Sequence, residues 1–151
     1  MDSAAIAFSL MYTDHATEIN REIGAMIYSV RTGFGRNTRT HYTFGTPWTG
    51  GRYNVIFGLY NYTAGMQWGR PSRSEIAALA HTHPERYNWF SRPDMRISHG
   101  HYRIFYIPAM PVFMSVNLNE EQRARYGHSI QVRRYDRSMN WDPWGRLILS
   151  K

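Results

Sequence analysis

The stretch "EIAALAHTH", residues 75–83, runs apolar into two histidines and stops at Pro84. Periodicity alone fits a helix or a strand there. The run is short, and a proline cannot donate to a sheet ladder, so the sequence predicts a buried strand at least over Ala78–His83. Further on, "SRPDMRIS" places Ser91 three residues ahead of Asp94, with Pro93 between them. That is close to a capping box, and it predicts a short helix whose first turn loses nothing to the proline's missing N–H.

The rest of the chain reads as material for a sheet around that strand. "DSAAIAFSLMYTDHATEI" reads as a first helix capped by Asp2 or Ser3. "EIGAMIYSV" is β-compatible, "RTGFG" supplies a turn, and the alternating "NTRTHYTFG" should return as its hairpin partner. "TPWTGG" reads as a loop, "RYNVIFGLY" as a strand, and "NYTAGMQWGRPSRS" as turn-rich. "YRIFYIP" and "PVFMSVNL" are strand-like runs separated by Pro108 and Pro111; "EEQRARYG" suits a helical turn, and "SIQVRRYD" and "WGRLILS" close as strands. Helix, strands, short helix, strands is the order of an α+β domain on one mixed sheet flanked by helices, and 151 residues suffice for a single domain with its own core.

Composition narrows the chemistry. The chain has no cysteine, which excludes disulfides, thiolate metal sites and cysteine nucleophiles, so any zinc site must use histidine and carboxylate ligands. The net charge of +7 favours anionic partners, but the basic residues are scattered, and nucleic acid is not the expected partner. Of the 18 basic residues only Lys151 is a lysine. A GC-rich coding bias explains that; so would avoidance of lysine modification inside a target cell. No apolar run approaches the ~20 residues that span a bilayer. The start "MDSAAIAFSLMYTDHA" lacks the basic region of a secretory signal, so neither a membrane span nor a signal peptide is expected in this chain.

On a strand, residues i and i+2 share a face, so His81 and His83 should project together with Thr82 turned away. Two imidazoles at a strand end can hold one divalent ion, and catalytic zinc takes three protein ligands with a position left open. Asp94 is the natural third ligand, because a helix starting at Ser91 puts it in the first turn, aimed back at the histidines. The same residues also make sense as a polar loop and a capped helix. "HGH", residues 99–101, is a second His-x-His, but Gly100 marks it as a loop. The aromatic run "YNWF", residues 87–90, together with Trp48 and Trp68, suits either a peptide clamp or packing beneath the loop.

The full pattern is His-x-His, seven residues, Ser, two residues, Asp, met by His81, His83, Ser91 and Asp94. It resembles the signature of the JAMM metalloproteases of the JAB/MPN fold. The wording around it, with the "DSAA" helix and "EIGAMIYS" strand, is similar to JAB-like domains at the C-termini of Rhs-type polymorphic toxins, over roughly residues 2–136. The resemblance implies a JAB/MPN-like (cytidine-deaminase-like) domain spanning residues 1–151, with zinc as the cofactor held by His81, His83 and Asp94. It also implies a glutamate on an early strand, which "REIGAMIYS" supplies as Glu22. Glu22 could equally be a surface carboxylate at a strand edge; Glu18 and Glu75 are the other candidates. Glu18 falls in the predicted helix, and six strand residues put Glu75 about 20 Å from His81.

By the same resemblance, Glu22 moves protons between water and the leaving amine, and Ser91 hydrogen-bonds the tetrahedral oxyanion. The expected activity is amide or isopeptide hydrolysis of a protein or peptide, with a peptidoglycan peptide among the candidates. The setting would be a toxin domain of a larger secreted protein, delivered into a target cell and matched by an immunity protein. The insertions that deubiquitinating members use to grip ubiquitin have no clear counterpart. Two alternatives remain: a non-enzymatic binding module on the same fold, and a toxin aimed at nucleic acid.

Overall fold

The computed structural model describes residues 1–52, 69–84, 87–100 and 108–151. The chain opens with helix α1 (Asp2–Ile19), followed by β1 (Ile23–Thr32), a 3-10 turn (Gly35–Asn37), β2 (Arg39–Phe44) and the two-residue β3 (Trp48–Thr49). Next come β4 (Ser74–His83), helix α2 (Arg92–Ser98), β5 (Val112–Asn117) and helix α3 (Glu120–Tyr126). β6 (Ile130–Tyr135), a second 3-10 turn (Arg137–Met139) and β7 (Arg146–Ser150) complete the described elements. The strand readings of residues 53–60 and 101–107 lie outside the described residues.

The strands form one mixed sheet in the order β2-β1-β4-β5-β6-β7, with β3 paired to β1. β4 and β5 run parallel, from Leu79↔Val112 to His83↔Val116. A parallel pair needs a long crossover, and the crossover here carries α2. All the other pairs are antiparallel, including the β1–β2 hairpin read from the sequence. The product is an α+β architecture whose sheet is flanked by helices.

The two-residue period of the strands sorts the core into two layers. Ala25, Ile27, Ala78, Ala80 and Phe113 face α1, which buries Ala4, Ala5, Phe8 and Ala16 against them. Small residues on that sheet face let a helix lie close to it. On the opposite face Met26, Tyr28, Leu79, Val112, Met114 and Val116 pack with Met95 and Ile97 of α2 and with Phe90. Burying a side chain such as Leu79 in this way contributes about 1.5–3 kcal/mol. A buried polar contact crosses the α1 layer: the Thr13 hydroxyl donates to the Ser9 carbonyl at 2.6 Å and meets Ser115 Oγ at 2.7 Å.

Two expectations need correction. Helix α1 starts at Asp2 with Met1 as its N-cap and no side-chain cap, so neither Asp2 nor Ser3 fills that role. Asp2 sits instead in the first turn and pairs with Arg134 at 3.1 Å and Arg146 at 3.3 Å, partners that sequence distance hid. The "TPWTGG" segment is not all loop: Trp48 and Thr49 pair with Gly24 and Ile23 of β1. Of the two roles open to Trp48, clamp or packing, the structure shows packing: it lies partly buried against the core cluster of the α2 face. Among the described residues no helix is long and apolar enough to cross a membrane.

Candidate metal centre

The register of β1 on β4 builds the site. Gly24 lies opposite His81, which carries Glu22, just before β1, to the level of His83. That junction is pinned on both sides: Ile23 N–H donates to Thr82 Oγ1 at 3.0 Å, and Glu22 exchanges backbone hydrogen bonds with Gly50 and Gly51, each 2.8 Å. Thr82 thus faces the α1 layer, while His81 and His83 project on the α2 side, as strand alternation requires.

The helix supplies the third group. Ser91 caps α2 in a complete capping box. Its N–H and hydroxyl both donate to Asp94 Oδ2, at 2.8 and 2.6 Å, and Asp94 N–H returns to Ser91 Oγ at 3.3 Å. With Oδ2 doubly bonded, Oδ1 is the oxygen turned to His81, 3.5 Å from its Nε2. Capping and ligand placement are therefore one arrangement, worth about 1 kcal/mol to the helix.

The two rings meet at their Nε2 atoms, 3.0 Å apart. His83 Nδ1 lies 2.8 Å from the Tyr87 carbonyl, which can only accept, so Nδ1 carries the proton and the neutral ring presents a lone pair at Nε2. Burial and the neighbouring His81 hold the His83 pKa down to about 4, against opposition from Asp94 and the Tyr87 carbonyl. The ring is neutral at pH 7, the form that binds metals. His81 Nδ1 is buried without a hydrogen-bond partner among the described residues.

These residues can hold a metal ion: one ligand atom each from His81, His83 and Asp94 lies within 4.8 Å of the others. Bonds of about 2.0–2.1 Å in a tetrahedral site require ligand atoms roughly 3.3 Å apart. The observed 3.0 Å between the histidines and 3.5 Å from His81 to Asp94 fall on either side of that length. The third edge, His83 to Asp94, is within 4.8 Å, and the second bonds on His83 and Asp94 orient both side chains toward the group.

Beside the group opens a cleft of about 420 Å³ lined by Glu22, Arg52, His83, Pro84, Tyr87, Trp89 and Ser91. Glu22 is 7% exposed. Burial raises its pKa to about 9, with the Asp94 charge adding to the effect. The two competing glutamates are elsewhere: Glu18 is exposed on α1 beside His15, and Glu75 lies at the far end of β4. His99 is the C-cap of α2 and stacks on Trp141 with ring centroids 4.2 Å apart, away from the capping end. His101 and Trp68 lie outside the described residues.

Sequence reasoning missed the scaffold behind the motif loop. Asn88 donates to the buried Gln131 at 3.2 Å, Phe90 N–H donates to the Pro143 carbonyl at 2.8 Å, and Trp89 meets Trp144 edge-on at 5.9 Å. No local signal ties residue 88 to residue 131; only the position of β6 in the sheet does. The chain matches no protein-family model and no curated protein.

Proposed function

We propose that the protein is a zinc-dependent hydrolase of amide or isopeptide bonds, built on a JAB/MPN-like fold with a JAMM-type site. The observation that supports this reading best is the convergence of His81, His83 and Asp94 on one point, with Glu22 and Ser91 lining the cleft beside them. His81 Nε2, His83 Nε2 and Asp94 Oδ1 would hold the ion. Zinc, when bound, supplies the acidity that brings water from a pKa of 15.7 toward about 7.

The protein groups do the rest. Glu22 is the proton carrier: its carboxylate takes a proton from water and returns it to the leaving amine. With its pKa near 9, raised mainly by burial and further by the Asp94 charge, the carboxyl is protonated at neutral pH. A dication shared by Asp94 and the histidines favours the carboxylate, so the basicity of Glu22 depends on the metal. The Ser91 hydroxyl donates to Asp94 Oδ2 and lines the cleft. To stabilise a developing oxyanion it turns its proton from Asp94 to the substrate, while Ser91 N–H continues to hold Oδ2.

The similarity to Rhs-type toxin domains suggests a setting: an effector domain of a larger secreted protein, acting on a protein or peptide in a target cell and restrained by an immunity protein. The basic surface suits an acidic partner of that kind.

The test is metal content by mass spectrometry for the protein and for Asp94→Ala. One zinc per chain, absent in the variant, is expected, and it justifies a peptidase screen with Glu22→Gln as the inactive control. No metal in either protein after zinc is offered removes the hydrolase reading.

A further inference from the structure

We propose that Tyr87 and Trp89, backed by Trp144, form a subsite for a bulky apolar or aromatic side chain next to the scissile amide of a peptide substrate. The inference rests on the amide-hydrolase reading and names the substrate class of that same site. Tyr87, Trp89 and Trp144 are 49%, 39% and 50% exposed, yet they touch in series: Tyr87 meets Trp89 at 4.7 Å and Trp89 meets Trp144 at 5.9 Å, both edge-to-face. Contiguous exposed rings carry a hydration cost that a ligand relieves.

The wall is rigid. Trp144 N–H donates to Asp142 Oδ1 at 3.1 Å, its carbonyl accepts from Arg133 Nη1 at 3.0 Å, and the Arg133 guanidinium lies over its ring at 5.9 Å. Asn88 and Phe90, on either side of Trp89, are bonded to Gln131 and Pro143. These bonds tie down the backbone that carries Trp144 and flanks Trp89, which limits the ordering a partner must impose.

Their position selects the partner. Tyr87, Trp89 and Pro84 line the same cleft as Glu22, His83 and Ser91, so a side chain on the rings belongs to a residue whose amide lies at the polar groups. Exposed aromatic rings also attract cations, but the Arg133 guanidinium already lies over the Trp144 ring and opposes a lysine or arginine there. An apolar or aromatic side chain has no such opposition and gains from ring contact.

The experiment is calorimetric titration of the zinc-loaded protein with three hydroxamate chelators: acetohydroxamate, N-acetylglycine hydroxamate and N-acetylphenylalanine hydroxamate. The phenylalanine compound is expected to bind about tenfold more tightly than the glycine compound. That ratio should fall to below about threefold in Trp89→Ala and in Tyr87→Ala, and survive in Trp89→Phe, with one zinc per chain throughout. Tyr87→Ala keeps the carbonyl that holds His83, so it stands if the tryptophan variant does not fold. Equal binding of the glycine and phenylalanine compounds, or a ratio that survives both alanine variants, overturns the subsite and leaves the metal centre intact. Failure to bind zinc or acetohydroxamate overturns the hydrolase reading and the subsite with it.

Discussion

Glu22 and His83 carry opposite distortions from the same burial. Water is the better solvent for a charge, so burial favours the neutral form of each: the carboxyl pKa rises to about 9 and the imidazole pKa falls to about 4. For Glu22 the folded chain binds its proton more tightly than the unfolded chain, whose pKa is near 4.5. The stabilising contribution is complete below pH 4.5 and is lost as pH rises toward 9. Glu22→Gln removes this titration. In chelator-treated protein the variant should melt roughly 10 °C or more above the wild type at pH 8, with the gap closing at pH 4. His83 titrates in both proteins and cancels from the difference. Thermal unfolding across this range checks it, and a gap independent of pH would sink the assignment.

The loop between β4 and α2 is tied to the residues that could hold a metal. Tyr87 O fixes the tautomer of His83, and the next residue, Asn88, anchors the loop on Gln131 of β6. Gln131 is 2% exposed and also accepts from Arg133 Nε and Nη2, at 3.4 and 3.3 Å. Asn88→Ala should therefore lower zinc affinity by about 10–100-fold through a residue that is not itself a ligand. Its cost in stability should stay near 1–2 kcal/mol, because Gln131 keeps its arginine donor. Competition with a chromophoric chelator measures the affinity; an unchanged value would show that Asn88 only packs the loop.

Across the molecule, the two sheet faces do different jobs. The α1 face is an apolar seal, and the α2 face holds both the larger apolar cluster and, at the strand ends, the polar group. The C-terminal turn closes that second face. Gly145 there has φ +54°, and a Cβ on it would lie 2.5 Å from the Arg134 carbonyl oxygen and 2.7 Å from the Phe90 ring. Gly145→Ala should destabilise the fold by about 2–3 kcal/mol, from backbone strain and from displacing the residue that precedes the Ser91 cap. Denaturant unfolding tests this, and a midpoint equal to that of the wild type would rule the close approach out.

Short-range relations were legible without coordinates. The strand at His81–His83, the hairpin of β1 and β2, and the Ser91–Asp94 cap each follow from residues a few positions apart, where backbone geometry alone sets which side chains meet. Local pattern failed where a distant charge competed: Asp2 looked like a cap and became an ion-pair partner of Arg134 and Arg146. Glu22 was suggested by a resemblance and could have been a surface carboxylate; strand register made it a buried group beside the histidines, because Gly24 is opposite His81. The anchors from Asn88 to Gln131 and from Phe90 to Pro143 had no signal at all. Spacing along a chain determines contacts only within an element, whereas contacts between elements depend on how strands register and which face each helix covers, and these are settled when the core packs.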